Sequence, residues 1–113
     1  MKIKQHSLVY LENENDLNKI LKAQRKIGEE ISILYVSLWD NVCQKLVNKL
    51  ERRYGKTSYE GPSTPLYIVN SLTMPHAFVI FKTSIVPHLI TIGRNSLTVE
   101  DYLPHVYHRL SIS

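Results

Sequence analysis

Residues 31–38, Ile-Ser-Ile-Leu-Tyr-Val-Ser-Leu, carry apolar side chains at 31, 33, 34, 35, 36 and 38, with no polar residue at every second place. A strand with one wet face alternates apolar with polar residues, because successive side chains point to opposite sides of a sheet. A run without that alternation, with apolar residues facing both sides, predicts a central strand covered on both faces, and therefore helices above and below it. The residues that follow supply one of those helices. Cys43, Leu46, Val47, Leu50 and Tyr54 fall at i, i+3, i+4, i+7 and i+11, a single helical stripe, and Gly55 supplies a stop. A buried strand, a short loop and an amphipathic helix in that order predict the first half of a right-handed βαβ unit.

Upstream, residues 7–11 form a short β-prone segment, and the polar cluster at 12–16 offers Asn and Asp side chains as helix caps. The helix they open carries Leu17, Ile20, Leu21, Gln24 and Ile27 and ends at Gly28. Asp16 comes early in it and Arg25 and Lys26 late, as the helix dipole favours. Residues 56–65, rich in Gly, Pro, Ser and Thr, predict a loop, and residues 66–70 a strand, with a short helical turn as the alternative. Residues 77–82 and 85–93 predict a β-hairpin turning near Thr83 and Ser84. In the last segment Thr98 with Asp101 forms a capping box, and Leu97 with Tyr102 is spaced as a hydrophobic staple. Val99, Tyr102, Leu103, Val106 and Leu110 supply the buried stripe of that helix, and Pro104 within it predicts a kink or a delay of one turn.

The chain of 113 residues suits one domain, residues 1–113, with a core large enough to need no covalent staples. No apolar run approaches the roughly 20 residues that span a bilayer, and the N-terminal segment turns acidic too soon for a secretory signal. The expected location is the cytoplasm, with no membrane partner. A single cysteine rules out an intrachain disulfide scaffold and fits a reducing compartment. The net charge is +4, and eleven of the fourteen Lys and Arg residues lie in the first 56 positions. Helical spacing places Lys19, Lys22 and Lys26 on one stripe and Lys45, Lys49, Arg52 and Lys56 on another. Such stripes are normally solvated helix faces, and no basic segment is interleaved with aromatic or glycine-rich signatures, so nucleic acid is not the expected partner. There is no glycine-rich phosphate cradle and no serine nucleophile motif. His105 and His108 have metal-compatible spacing but no evident third ligand, so neither metal nor cofactor is expected, and nothing fixes an oligomeric state.

Trp39-Asp40-Asn41-Val42-Cys43, placed after a hydrophobic strand, resembles the Trp-Cys-x-x-Cys motif of the thioredoxin-like family. Met74-Pro75, leading into Ala77-Phe78-Val79-Ile80-Phe81, resembles the cis-proline that opens that family's antiparallel part. The expected order, β-α-β-α-β, a hairpin and a terminal helix, is similar to the thioredoxin fold from about residue 7 onward. Gly93 and the last helix also fall where the family places a glycine and its final helix. The resemblance implies an α/β fold in which a central mixed sheet of four to five strands is flanked by three to four helices. A rival alignment makes Val86-Pro87 the cis-proline. Pro75 is preferred because it leaves two strands and a helix to complete the domain, whereas Pro87 leaves room for one strand. The stretch 56–74 is short for the family, so its third helix is expected to be eroded or missing.

A dithiol cycle needs one thiolate to attack and a second thiol to resolve the mixed disulfide. This chain has one thiol, and Asp40 stands where the resemblance places the other. Asp40 is expected to cap the helix by accepting from the amide of Val42 or Cys43, and its charge raises the pKa of a nearby thiol. Cys43 shares its stripe with core residues, so burial and inertness are expected of it. The alternative is a one-cysteine redox enzyme or sensor, in which Cys43 reduces a peroxide or carries a mixed disulfide. His76, beside the proline, would then be the base. The leading expectation is a protein-binding module without disulfide oxidoreductase activity. Its surface comprises Trp39, Asp40, Asn41, Val42, Met74 and Pro75, with a partner strand along the backbone around Met74 and Trp39 as an aromatic wall.

Overall fold

The strand at Ile31–Val36 is buried at all six positions, Ser32 included, as apolar residues on both of its faces lead one to expect, and it lies at the centre of a five-stranded sheet. The computed structural model describes residues 6–54, 64–71, 73–75 and 87–112. Their elements, in chain order, are β1 (His6–Tyr10), α1 (Glu14–Ile27), β2 (Ile31–Val36), α2 (Asn41–Tyr54), β3 (Thr64–Asn70), β4 (His88–Ile92), β5 (Leu97–Glu100) and α3 (Leu103–Arg109). The sheet order is β1-β3-β2-β4-β5. β1 and β2 pair parallel with β3, whereas β4 pairs antiparallel with both β2 and β5.

The two crossovers run in opposite directions along the sheet, from β1 past β3 to β2 and then back to β3. Crossovers of the usual right hand that run in opposite directions put their helices on opposite faces. The core is accordingly split in two. On one face Leu34, Val36, Leu66, Ile68 and Leu89 pack with Cys43, Leu46, Val47, Leu50 and Tyr54 of α2 and with Val106 and Leu110 of α3. On the other, Ile31, Ile33, Tyr35, Val69 and Ile90 pack with Leu17 of α1 and with Met74. The alternation of β2 between these clusters is the period-two geometry of a doubly covered strand.

Local signals set most of the ends. Asn13 caps α1 by accepting from the Asp16 amide at 3.0 Å, and Gly28 closes it in the left-handed region at φ 80°, its amide donating to the Gln24 carbonyl at 2.7 Å. Gln24, buried in α1, donates through Nε2 to the carbonyls of Glu29 and Gly93, tying the helix to the β4–β5 turn.

The C-terminal third departs from the expectation. Residues 97–100 are strand β5 and not the start of a helix, so Thr98 and Asp101 form no capping box, and Leu97 and Tyr102, 58% and 60% exposed, form no staple. Of the expected stripe, Val106 and Leu110 are buried whereas Val99 and Tyr102 are exposed. Pro104 explains the outcome: lacking an N–H, it fits only the first turn, so α3 begins at Leu103 with the proline in that turn. The hairpin of the sheet is therefore β4–β5, closed by the Gly93 amide donating to the Ser96 carbonyl at 2.9 Å. The expected strand at 77–82, the turn at Thr83–Ser84 and His76 lie outside the described residues.

β4 begins directly after Pro87, and two strands and a helix follow that residue. The expectation that Pro87 leaves room for one strand is corrected, because the segment read as helix N-terminus supplies the second. After β3 the chain makes a helical turn, with the amides of Thr73 and Met74 both donating to the Asn70 carbonyl.

Candidate functional site

The loop from β2 to α2 is fixed from three sides. The Asp40 amide donates to the Ser37 carbonyl at 3.0 Å, which closes a tight turn over Leu38 and Trp39. The Leu38 amide donates to Asn70 Oδ1 at 3.3 Å, and Gln44 Nε2 donates to the Leu38 carbonyl at 2.6 Å. Leu38 packs its side chain against the α2-side core, which leaves its neighbour Trp39 turned outward and 72% exposed.

Asp40 then opens α2 as the sequence predicts. Its Oδ1 accepts from the Val42 amide at 2.9 Å, and its carbonyl accepts the first intrahelical bond, from the Gln44 amide at 2.9 Å. Both are the bonds of an N-cap, worth about 0.5–2 kcal/mol to the helix. Asn41 and Val42, in the first turn, are exposed.

Cys43 is wholly buried among Leu46, Val47, Leu50 and the strand residues beneath them. Burial pushes its thiol pKa up, a backbone hydrogen bond from Ser37 acts in the opposite direction, and the Asp40 carboxylate raises it further. The thiol is 4.0 Å from Asp40 Oδ2, close enough for a weak S–H···O bond that holds the proton on sulfur. A thiolate nucleophile needs the reverse: an exposed, electropositive setting.

Met74 and Pro75 belong to the turn after β3, at the same carboxyl-terminal edge as the Trp39 loop, since Val36 and Asn70 are in register and the Ser71 amide donates to the Val36 carbonyl. Pro75 is exposed. The Met74 side chain is fully buried in the α1-side core and its amide is bonded to Asn70, so its N–H is not presented to solvent. The reason is the helical turn: an extended segment there would have freed the amide. Pro87 stands at this edge too, because His88 at the start of β4 is in register with Tyr35 near the end of β2.

Three buried polar groups at this edge were not legible in the sequence. Ser37 Oγ, Ser71 Oγ and His88 Nδ1 are buried without a hydrogen-bond partner among the described residues. Each follows or begins a different strand, and only the sheet register brings them to one end. Burial lowers the His88 pKa, with Asp101 acting the other way, so its ring is held neutral and packs edge-on against Tyr35 at 6.3 Å between centroids.

Among the described residues no group of three His, Cys, Asp or Glu side chains is placed to hold a metal, and no helix is long and apolar enough to cross a membrane. His105 instead faces Glu100 at 3.5 Å and the Tyr102 ring.

No family model matches the sequence, and no curated protein matches it. Solved structures do resemble it. Thioredoxin from Schistosoma mansoni superposes with a TM-score of 0.68 at 14% identity, over 93% of this chain and 94% of that one. Thioredoxin O2 from Arabidopsis thaliana, in its oxidised state, gives 0.65 at 19% identity, over 92% and 94%. Thioredoxin from Trypanosoma brucei brucei gives 0.66 at 13% identity, over 98% and 93%. Identities this low speak to architecture alone, and together with the mixed five-stranded sheet and its three described helices they establish that this chain has a thioredoxin-like fold.

Proposed function

We propose that this protein is a thioredoxin-fold module that binds a protein partner, in a reducing cytoplasmic setting, and does not exchange disulfides. The observation that carries the reading is the Asp40 cap: a carboxylate occupies the head of α2, where the family resemblance places an attacking thiol, and the turn it closes leaves Trp39 72% exposed. The only cysteine lies beneath it, buried and with its pKa raised. Trp39, Asp40, Asn41, Val42 and Pro75 are the proposed contact residues, and Met74 anchors from below the turn that carries Pro75. A large aromatic side chain held by a rigid loop makes contact area at little entropic cost, and such residues dominate binding energy when a partner covers them. The alternative in which Cys43 works with His76 as a redox pair gains no support from a thiol so placed.

The test is site-specific cross-linking in cells. A photoreactive phenylalanine derivative in place of Trp39 should capture a discrete protein, whereas the same group in place of Ile27, 57% exposed at the far end of the sheet, should not. Trp39→Ala should weaken binding of the captured protein by more than about tenfold. Equal capture from both positions would refute the surface, and reduction of insulin disulfides at a rate abolished by Cys43→Ser would refute the absence of exchange.

A further inference from the structure

α2 carries Lys45, Lys49, Arg52 and Arg53, and none of the four forms an ion pair among the described residues. The one carboxylate of the helix, Glu51, is engaged by the Tyr10 hydroxyl. Like charges at i and i+4, as in 45/49 and 49/53, weaken a helix, so the arrangement is held at a cost. Lys49, Arg52 and Arg53 form one wall of an open depression of about 450 Å3, whose other wall is Ser111 and Ile112 after α3. A second depression on the other side of those two residues is lined by Pro104, Tyr107 and His108.

Ser111 adds an independent sign. It is the one non-glycine residue with positive φ among those described, at 56°, in the place after a helix where glycine is the usual occupant. Serine there accepts backbone strain and keeps a hydroxyl on the lip of the depression. Ile112 is the one apolar side chain of the lining, and beside it Lys49 Nζ lies over the Tyr107 ring at 4.7 Å from its centroid.

We propose that this depression is a second docking site, for an acidic peptide segment of a protein partner in which carboxylates alternate with apolar side chains. Guanidinium groups pair with carboxylates in bidentate fashion, and Ile112 offers the apolar contact for a residue between them. Nucleic acid fits less well. The cations span residues 45–53, about 12 Å of helix at 1.5 Å per residue, and the ring that would stack on a base is occupied by a lysine. The site does not depend on the Trp39 surface, from which Arg52 is about 20 Å distant along the helix.

The test uses the full chain and three fluorescent probes at low salt: a short peptide of repeating Glu-Glu-Leu, its Lys-Lys-Leu counterpart, and an oligothymidylate of equal formal charge to the first. The acidic peptide should bind, the basic one should not, and amide resonances of Lys49, Arg52, Arg53, Tyr107, Ser111 and Ile112 should shift on titration. Arg52→Glu with Arg53→Glu should weaken the acidic peptide by at least about tenfold, with circular dichroism unchanged, and Trp39→Ala should leave its affinity as it was. The proposal is overturned if the oligothymidylate binds as tightly as the peptide, if the shifts fall elsewhere in wild type, if Trp39→Ala abolishes peptide binding, or if no binding is seen.

Discussion

Asp40 shows how one side chain can settle two properties at once. Its Oδ1 bond to the Val42 amide holds the first turn of α2, and its other oxygen lies 4.0 Å from the Cys43 thiol. The two roles separate by substitution. Asp40→Ala removes the cap and should cost about 0.5–2 kcal/mol in chemical denaturation. Asp40→Asn keeps an acceptor at the cap and removes the charge, so it should lose less stability while lowering the Cys43 pKa, read from thiolate absorbance in the ultraviolet. His88 behaves in the opposite sense. Its pKa is lowered by burial, so the unfolded chain binds a proton more readily than the native one. Its contribution to stability is therefore intact above the ordinary histidine value, about 6.5, and is lost as pH falls through that value toward the lower native one. Unfolding free energy measured against pH should decline on this acid limb, and His88→Gln should flatten the decline. An unchanged slope would show that other groups set it.

At the scale of elements, the ends of α1 and α3 pose the same problem with different residues. Gly28 closes α1 at φ 80°, and a Cβ there would come within 2.6 Å of Arg94 Nε, whose guanidinium donates to the Ile27 carbonyl through Nη2. Gly28→Ala should destabilise the fold by about 1–2 kcal/mol, from left-handed backbone strain together with displacement of Arg94. α3 ends in a Schellman arrangement, with Ser111 N–H donating to the His108 carbonyl and Ile112 N–H to that of Tyr107. Here the left-handed residue is Ser111, so Ser111→Gly should stabilise the protein by about 0.5–1 kcal/mol in thermal or denaturant unfolding. The same elements show what was legible in sequence. The non-alternating apolar pattern of β2, the stripe of α2, the Asn13 and Asp40 caps and the Gly28 stop are local signals, and each is realised in place. β5 was not legible, because Thr98-x-x-Asp101 imitates a cap and positions 99, 103, 106 and 110 imitate a stripe. Pro104 was the stronger signal, since an N–H that cannot be made confines it to a first turn.

For the whole molecule, the decisive information is sheet register, which no local pattern carries. It brings Trp39, Asn70, Pro75 and Pro87 to one edge, buries Ser37 and His88 beneath that edge, and turns the second half of α2 toward the chain after α3. The exposed tryptophan and the capped helix were predictable from neighbours in sequence. The polar groups under the edge, and the meeting of Arg52 with Ser111, join residues from separate elements and were not. Solved structures with the same fold include thioredoxins, and in this chain a carboxylate caps the head of α2 and the Cys43 thiol is enclosed. Whether that enclosure is complete is directly measurable. Alkylation of native Cys43 by a small neutral reagent, followed across pH, should proceed no faster than transient unfolding allows, and should become rapid only in denaturant. Rapid alkylation of the native protein with an apparent pKa below that of free cysteine would contradict it.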